Sequence, residues 1–505
     1  MKNKIVFFLI VLTLLTPKNK SAAEEFTEGC TVGCAMENAV PDGRAFCWKN
    51  RDMNQNPNQV IYVTGGTYKY IGLGEGMIME GVNEAGLAVG NSVVYNMDSG
   101  SKFDPAQLKE WFDKGYLADY GFVEGKVPEE AKKALNNYYI QDWLLKNCAT
   151  VDEVRQAIIE DTSDIQNHWV APGGCFPVID GLGNASMFEI GDKEYFEYNP
   201  THVNRIAQYS YQICTRANIA HRNTDHTDDI DTGGNRFTES RDNLLNACAS
   251  GDGVTPLEFI NQVCRFGEPG NFIRQNSYEN TCNTLLVWGS SASEDNRATT
   301  LFASVGQPDY CCFVPVWPAA GNSLSTRLTS TSSTGIAERG WTLFAKDDEN
   351  DYDQYINSFY SGLETNFAEA ASLARQIWEI KGFDVSTADS ITDEAAESAW
   401  QTMNTMCQGS GRNLNQTPEL TEISTTTNGY SVTFSRTAND PDGSIVSTSW
   451  DFGDGNSDSG SSVSHTYGSS DIYLACCRII DNNGSRNSKW IIVNLNFNAS
   501  YWSTH

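Results

Sequence analysis

A polar stretch of Gly, Ser, Asn and Gln at residues 407–417 divides the chain into two regions of different texture. Before it, short β-rich runs such as 170–179 and 312–317 alternate with Gly-rich turns and longer helical segments. After it, residues 418–495 are rich in Ser, Thr and Gly, with apolar–polar alternation as in 430–434. This pattern predicts an α/β region, a linker over 407–417 and an all-β module of sandwich size.

The end of the α/β region has the spacing of amphipathic helices. Residues 351–381 carry apolar side chains every three or four positions, and residues 393–406 keep the same character. We expect two helices that pack together and close the domain. The predicted boundaries are therefore 30–345 for the main α/β domain and 346–406 for its helical C-terminal part.

Residues 1–23 have the composition of an export signal. A short basic start precedes an apolar run from Ile5 to Leu15, and small residues at 21–23 suit a signal peptidase. The run is too short to span a bilayer well, and no later stretch reaches about 18 apolar residues, so no membrane span is expected in the mature chain. The pattern predicts a secreted or periplasmic protein in which residues 24–29 form a short propeptide.

The net charge of the chain limits the classes of partner that it is expected to bind. It carries 35 Lys and Arg against 64 Asp and Glu, a formal net charge of −29. A surface this acidic repels the phosphates of nucleic acids and anionic membranes. We therefore expect neither nucleic acid nor membrane surfaces as partners.

The 14 cysteines do not have the spacing of a structural metal site. In the adjacent pairs 311–312 and 476–477, successive side chains on a strand would point to opposite faces. We interpret most of the cysteines as small buried apolar residues rather than disulfide partners. Neither a metal nor a cofactor is expected.

The tripeptide Gly29-Cys30-Thr31 is the candidate catalytic motif. It lies just beyond the export signal, where a cysteine can become the N-terminal residue of the processed chain. A thiol can attack the carbonyl of the residue before it and form a thioester, and a glycine there admits the strained geometry. Hydrolysis of the thioester frees an α-amine whose pKa, about 7.7 to 8, suits a base near neutral pH. One residue then supplies both nucleophile and base.

The residues after Cys30 predict a hairpin that returns to it. A turn at 41–43 is followed by the strand-like run 44–48. The hairpin brings Lys49 and Asp52 to the level of Cys30. A carboxylate there would hold and orient the α-amine, and a cation would favour the thiolate.

This arrangement resembles the N-terminal-nucleophile (Ntn) hydrolases of the choloylglycine hydrolase and acyl-CoA:6-aminopenicillanic acid acyltransferase group. The resemblance covers residues 30 to about 318 and implies a four-layer αββα fold. Separate motifs carry it: the Cys-Thr start, an Arg-Asn-x-Asp motif here Lys49-Asn50-Arg51-Asp52, Asn83-Glu84-Ala85-Gly86-Leu87 followed by 88–91, Arg216-Ala217-Asn218 and Arg236-Phe237.

By that resemblance Cys30 is the nucleophile and its α-amine is the base. Asp52 orients the amine. Asn218 donates its side-chain amide to the oxyanion, and a backbone N–H near Asn91 is the second donor.

The same resemblance gives Arg236 the role of tuning Cys30 and Asp52 electrostatically. The family's first Arg is Lys49 here, which keeps the charge but loses bidentate geometry. Arg51 is the alternative counterpart, through a local shift. We interpret Asn83 as a turn former and Arg216 as a surface or salt-bridged arginine.

The function implied is hydrolysis of a linear amide C–N bond in a small N-acyl substrate, through an acyl-enzyme on Cys30. If an amine rather than water accepts the acyl group, the same site is an acyltransferase. A dipeptidase with the same nucleophile is a close rival. From another class, the chain is a catalytically inactive surface binding protein.

In the C-terminal module, the motif Trp450-Asp-Phe-Gly-Asp-Gly455 is followed by His465-Thr-Tyr467. This resembles a polycystic-kidney-disease (PKD) domain, an immunoglobulin-like sandwich. The resemblance implies contact with protein or carbohydrate, and we assign the module no catalysis. Asp451 and Asp454 are interpreted as turn formers rather than calcium ligands.

Overall fold

The computed structural model describes most of the chain but not its two ends. The described residues are 29–36, 39–40, 42–53, 58–94, 109, 112–113, 129–159, 173–191, 195–198, 213–217, 234–249, 254–265, 280–347, 353–409 and 414–496. The predicted export signal and the propeptide apart from Gly29 lie outside these ranges, as does Asn218.

Strands in the described part of the α/β region form two sheets. They are β1 Gly29–Ala35, β2 Phe46–Met53, β3 Gln59–Val63, β4 Tyr70–Glu75, β5 Met77–Asn83, β6 Ala88–Val89, β7 Ser92–Val93, β8 Gly174–Ile179, β9 Ala185–Ile190, β10 Tyr195–Tyr198, β11 Ile213–Ala217, β12 Asn280–Trp288, β13 Thr300–Ser304 and β14 Val314–Val316. The first sheet has the order β11-β1-β2-β12-β13-β14, and the second has the order β10-β9-β8-β6-β5-β4-β3, with β7 beside β8.

The helices lie outside the two sheets. They are α1 Glu129–Asn147, α2 Val151–Ile159, α3 Gly234–Ala249, α4 Pro256–Phe259, α5 Thr326–Thr329, α6 Ile336–Asp347, α7 Asp353–Lys381 and α8 Val385–Gln408. A π-helical turn, Ile260–Cys264, extends α4, and 3₁₀ turns occupy Asn296–Ala298 and Pro318–Ser323. None of the described helices is both long and apolar enough to cross a membrane.

The two sheets pack face to face. Strands β1 and β2 contact β8, and β12 contacts β4 and β5. Helices α1 and α2 cover the outer face of the second sheet, where Leu144 and Val154 share an apolar cluster with Phe176 and Phe188. Helices α3, α7 and α8 pack against β11 and β14 of the first sheet. The layer order confirms the predicted αββα fold.

Strand alternation divides β1 and β2 between these layers. Cys34 and Cys47 are directly opposite each other and face the second sheet, where the Cys47 thiol lies 3.8 Å from the Pro177 carbonyl oxygen. Trp48 points to the other side and packs on Phe259, with ring centroids 5.0 Å apart. The strands therefore present every second residue to the space between the sheets.

Gly33 allows the close approach of β1 to its neighbours. A Cβ atom at Gly33 would lie 2.1 Å from the Trp48 ring and 2.6 Å from the carbonyl oxygen of Cys214. Both distances are shorter than van der Waals contact, so no larger residue fits without moving the indole or β11.

The helical pair predicted at the end of the α/β region is present, but its second helix starts earlier than the apolar spacing indicated. Gly382, with φ of +80°, ends α7. The side chain of Asp384 then caps α8 by accepting a hydrogen bond from the Thr387 N–H at 3.0 Å. Helix α8 therefore begins at Val385 rather than at 393.

The C-terminal module is an antiparallel β-sandwich. Its strands are β15 Glu419–Asn428, β16 Ser431–Asn439, β17 Ile445–Asp451, β18 Ser457–Ser459, β19 Ser462–Thr466, β20 Ile472–Asp481 and β21 Arg486–Asn494. The two sheets have the orders β15-β16-β19 and β18-β17-β20-β21. Trp450, Phe452 and Phe434 fill the core between them, as expected for an immunoglobulin-like sandwich.

Residues 407–417 differ from the predicted linker where the structure describes them. Helix α8 continues through 407 and 408 because Met403, Met406 and Cys407 extend its buried face. Asn415 is also buried, and its side-chain N–H₂ donates to Asp481 at 2.8 Å and to Ser485 at 2.7 Å. Both ends of the segment are therefore fixed by packing and hydrogen bonds.

The module is docked on α7 and α8. Trp490 and Cys476 of the module belong to the main apolar cluster of the α/β region, and the Trp490 ring lies 6.4 Å from that of Phe367. Glu394 of α8, only 6% exposed, accepts hydrogen bonds from Arg478 at 2.5 Å and from Arg486 at 2.8 Å. The interface thus combines a shared core with a buried ionic network.

All 14 cysteines fall within the described residues, where all are buried and none is disulfide-bonded. Burial raises the pKa of the Cys407 thiol to about 11 and that of Cys148 to about 12. The adjacent pair Cys311 and Cys312 is enclosed on both sides. These thiols pack as small apolar groups, as interpreted from the sequence.

Candidate active site

Cys30 lies near the start of β1, fully buried, directly opposite Arg51 of β2. On its other side β1 pairs with β11, where Thr31 is opposite Ala217. Asn218 follows Ala217 immediately but lies outside the described residues. Arg236 falls within α3, and its side chain is likewise not described.

Asp52 is brought to the same place by the hairpin. It is opposite Gly29, the residue whose carbonyl precedes Cys30. Its carboxylate is fully buried and accepts a hydrogen bond from the Thr281 hydroxyl at 2.7 Å. Thr281 was not singled out from the sequence, because β12 is some 230 residues away and no motif marks it.

The register decides how the two candidate cations are placed. Arg51 is opposite Cys30, whereas Lys49 is opposite Val32, one pair farther along the same face of β2. Both side chains are buried and both face Glu80 of the second sheet, Lys49 at 3.2 Å and Arg51 at 4.0 Å. The register places Arg51 closer than Lys49 to Cys30 along the strand pair, and Lys49 is a second buried cation.

Asn91 is buried between β6 and β7, and its carboxamide has a defined orientation. Its Oδ1 accepts a hydrogen bond from the Lys49 ammonium. Among the described residues, nothing accepts a hydrogen bond from its Nδ2. An unsatisfied buried donor costs about 1–3 kcal/mol, so it is expected where a ligand supplies the acceptor. The donor without an acceptor here is the side-chain Nδ2, whereas the sequence prediction concerned a backbone N–H near Asn91, which stays a prediction.

Cys282 is a second thiol in the same charge environment. Cys282 lies at a β-bulge between Thr281 and Asn283, where the regular pairing of β12 with β2 is interrupted. Burial raises its pKa to about 12, against the opposing effect of Arg51 and with smaller contributions from Glu80 and Asp52. The thiol is therefore protonated at neutral pH and is a poor nucleophile.

Glu80 and Tyr138 are site neighbours that sequence reasoning missed. Glu80 interrupts the strand Met77–Asn83 with a fully buried carboxylate. The Tyr138 hydroxyl accepts a hydrogen bond from Arg51, and the guanidinium lies 5.0 Å from the ring centroid. An acidic residue in the middle of an otherwise apolar strand is the only signal that the sequence offered.

Asn83 is the turn former that was predicted. Its Oδ1 accepts hydrogen bonds from the N–H groups of Ala85 at 3.1 Å and Leu87 at 3.0 Å. Its amide nitrogen donates to the Leu145 carbonyl at 2.9 Å, so the turn is tied to α1. The residue is structural.

Arg216 is a buried, salt-bridged arginine. Its Nε donates to Glu189 of β9 at 2.6 Å, and its guanidinium lies 4.5 Å from the centroid of the Tyr198 ring. It crosses the space between the sheets at β11, on the opposite side of β1 from Lys49. This agrees with the salt-bridged alternative given for Arg216.

In the C-terminal module the motif aspartates serve the turn. Asp451 accepts a hydrogen bond from the Gly453 N–H at 2.9 Å, and Asp454 accepts one from Asn456 at 3.0 Å. The second oxygen of Asp454 meets His465 Nε2 at 2.7 Å. Within the described residues, no three His, Cys, Asp or Glu side chains are arranged to hold a metal ion.

Residues 415–493 match the family model described as PKD domain. The C-terminal module is a PKD domain. It is similar to the PKD1 domain of Vibrio anguillarum Epp, with 30% identity, 16% of this chain and 95% of that chain covered, and a TM-score of 0.16.

Solved structures to which the chain upstream of the PKD domain is similar include a conjugated bile acid hydrolase and a penicillin V acylase. A mutant of the conjugated bile acid hydrolase from Clostridium perfringens has 16% identity, with 57% of this chain and 92% of that chain covered and a TM-score of 0.35. Penicillin V acylase from Agrobacterium tumefaciens has 14% identity, with 57% and 85% covered and a TM-score of 0.32. A search of curated proteins gave no significant match.

Proposed function

We propose that the protein is an exported amide hydrolase that cleaves its own Gly29–Cys30 bond and then uses Cys30 as an N-terminal nucleophile. The observation that carries the proposal is the start of β1. Gly29 is paired with Asp52, and Cys30 with Arg51, at successive positions of the antiparallel β1–β2 ladder.

The proposed self-cleavage uses the Cys30 thiol, the Gly29 carbonyl and water. The Cys30 thiol adds to the Gly29 carbonyl carbon, and the C–N bond breaks as the nitrogen takes a proton, which gives a thioester. Water then hydrolyses the thioester and releases a segment that ends in the Gly29 carboxylate. The α-amine of Cys30 is left beside Asp52, whose orientation is fixed by Thr281.

In amide hydrolysis, the free α-amine takes the proton of the Cys30 thiol, and the thiolate adds to the substrate carbonyl. The amine then returns a proton to the leaving nitrogen, and water hydrolyses the acyl-enzyme. The Asn91 Nδ2, unpartnered among the described residues, supports an oxyanion donor at the first step. Asn218 is proposed as the second donor, and Arg236 as a residue that tunes the site.

The substrate proposed is a small N-acyl amide, and the cellular site is outside the cytoplasm. Fatty acyl amides, conjugated bile acids, penicillin V, acyl homoserine lactones and dipeptides form the panel that separates the candidate substrate classes. Addition of an acceptor amine to the same assay separates hydrolysis from acyl transfer.

The deciding experiment is the intact mass of the exported protein together with this panel. We expect a chain that starts at Cys30 and turns over at least one amide. Cys30→Ala should keep Gly29 and the residues before it and should have no activity. Cys34→Ala is the matched control, because Cys34 lies on the same face of β1, four residues from Cys30. This variant should be cleaved and active. A Cys30→Ala protein that still hydrolyses amides refutes the assignment.

A further inference from the structure

A continuous chain of buried polar side chains joins the two sheets beside Cys30. It runs from Tyr138 through Arg51, Glu80 and Lys49 to Asn91, and none of the five is more than 2% exposed. The links are the Tyr138–Arg51 hydrogen bond, the contacts of Glu80 with Arg51 at 4.0 Å and with Lys49 at 3.2 Å, and the Lys49–Asn91 hydrogen bond. We call this set the inter-sheet chain.

Glu80 is the centre of the inter-sheet chain because it carries its only negative charge. A buried cation without a counter-charge is costly, and Glu80 lies within reach of two of them. Without the carboxylate, Lys49 and Arg51 would lie side by side on β2 as two buried like charges. Glu80 therefore decides where the Lys49 ammonium lies.

Lys49 in turn decides how Asn91 is oriented. An ammonium group only donates hydrogen bonds, so the carboxamide must turn its oxygen toward Lys49. The amide nitrogen is then directed away from Lys49, and no described residue accepts its hydrogen bond. The orientation of this donor is thus a consequence of the position of the ammonium.

We infer that Glu80 is a positioning residue for the proposed hydrolysis: it fixes Lys49, and through Lys49 it aims the Asn91 amide at the oxyanion. The inference rests on the proposed function. The role is one of positioning, because the Glu80 carboxylate contacts the two cations of β2, Lys49 and Arg51, and the chemical step is assigned to Cys30.

The test is a double-mutant cycle on the amide substrate identified for the wild type. Glu80→Gln keeps the size of the side chain and removes its charge. We expect kcat to fall by roughly 10- to 100-fold with KM changed little, the effect of misplacing a donor by up to about an ångström. Glu84→Gln, in the turn that follows β5, is the matched control and should keep wild-type kcat.

The second arm uses Lys49→Met alone and combined with Glu80→Gln. If Glu80 acts through Lys49, the double variant loses no more activity than Lys49→Met alone. A merely structural role would give additive losses. The double variant also removes one positive and one negative charge together, so it tests the inference even if Glu80→Gln does not fold.

The outcomes separate the two claims. A wild-type chain that does not start at Cys30, or that hydrolyses no amide, overturns the proposed function. A wild type that is cleaved and active, with Glu80→Gln within about twofold of its kcat or with additive losses in the cycle, overturns the role of Glu80 alone. Thermal unfolding and intact mass of each variant establish that folding and self-cleavage are retained.

Discussion

Removing the Glu394 carboxylate should loosen the docking of the PKD domain on α8. The Glu394 carboxylate accepts hydrogen bonds from Arg478 Nε at 2.5 Å and Arg486 Nε at 2.8 Å. It also accepts one from the Ser398 hydroxyl at 3.3 Å. Burial alone would raise the pKa of Glu394, but Arg486 and Arg478 outweigh this and hold it below its ordinary value. The carboxylate is therefore ionised at neutral pH and neutralises two arginines at once.

The expected magnitude follows from the exposure of the three groups. Breaking a fully buried ion pair from one side costs about 3–5 kcal/mol, because the partner charge is left without compensation. The Arg478 side chain is 23% exposed and that of Arg486 is 15% exposed, so water screens part of the loss. We expect about 3 kcal/mol for Glu394→Ala, which corresponds to on the order of 100-fold in the docking equilibrium.

Amide hydrogen exchange measures this equilibrium directly. Exchange of the β21 amides that pack on α7 and α8 should accelerate by a similar factor in Glu394→Ala, since they exchange on undocking. Glu379→Ala, an exposed carboxylate on α7, is the control and should leave exchange unchanged. If β21 exchanges at the wild-type rate in Glu394→Ala, the ionic network does not hold the interface and the reasoning is wrong.

Further predictions concern the site and the fold. Asn91→Ala should lower kcat for amide hydrolysis by about 100- to 1000-fold with little change in KM, as measured by steady-state kinetics. Trp490→Ala should reduce the free energy of unfolding by about 3–5 kcal/mol in chemical denaturation, because it empties the shared core. Gly33→Ala should lower the melting temperature, because its methyl group collides with Trp48. Finally, the depressed pKa of Glu394 stabilises docking above the ordinary carboxyl pKa, about 4.3, and this is lost as pH falls through the folded pKa. Faster β21 exchange near pH 3 than near pH 6, beyond the intrinsic effect of pH, is the check.

The sandwich and the hairpin after Cys30 were predictable because local patterns carry them, whereas the αββα layers were expected from the family resemblance. Turn chemistry and the WDFGDG motif mark the PKD domain, and the hairpin after Cys30 follows from the turn at 41–43 and the strand that comes next. The approach of Asp52 to Cys30 is a consequence of that hairpin alone. Such features depend on residues within about 25 positions of each other, where spacing and structure are closely linked.

The choice between Lys49 and Arg51 was not predictable. The two residues are two positions apart and share a face of β2, so periodicity cannot tell which is opposite Cys30. Only the register with β1 decides it. The proximity of Glu80 to the site was not predictable either, because it arises from the packing of one sheet on another.

The docking of the PKD domain was also not predictable from the sequence. Trp490 and Cys476 alternate along their strands like residues of any sandwich, and nothing local shows that their side chains pack against α7 instead. Glu394 looks like an ordinary polar position of an amphipathic helix. Its partners lie more than 80 residues away, and only the assembled interface reveals them.

The position of Gly29 bears on how the proposed self-cleavage would take place. Gly29 already occupies the first position of β1, opposite Asp52. A scission at this bond would take place inside a finished framework, with the neighbouring strands in their final register. Under the proposed self-cleavage, the precursor and the cleaved chain would differ by one broken peptide bond and the released N-terminal segment, so cleavage would require no refolding, and an uncleavable precursor should crystallise in the architecture of the cleaved form.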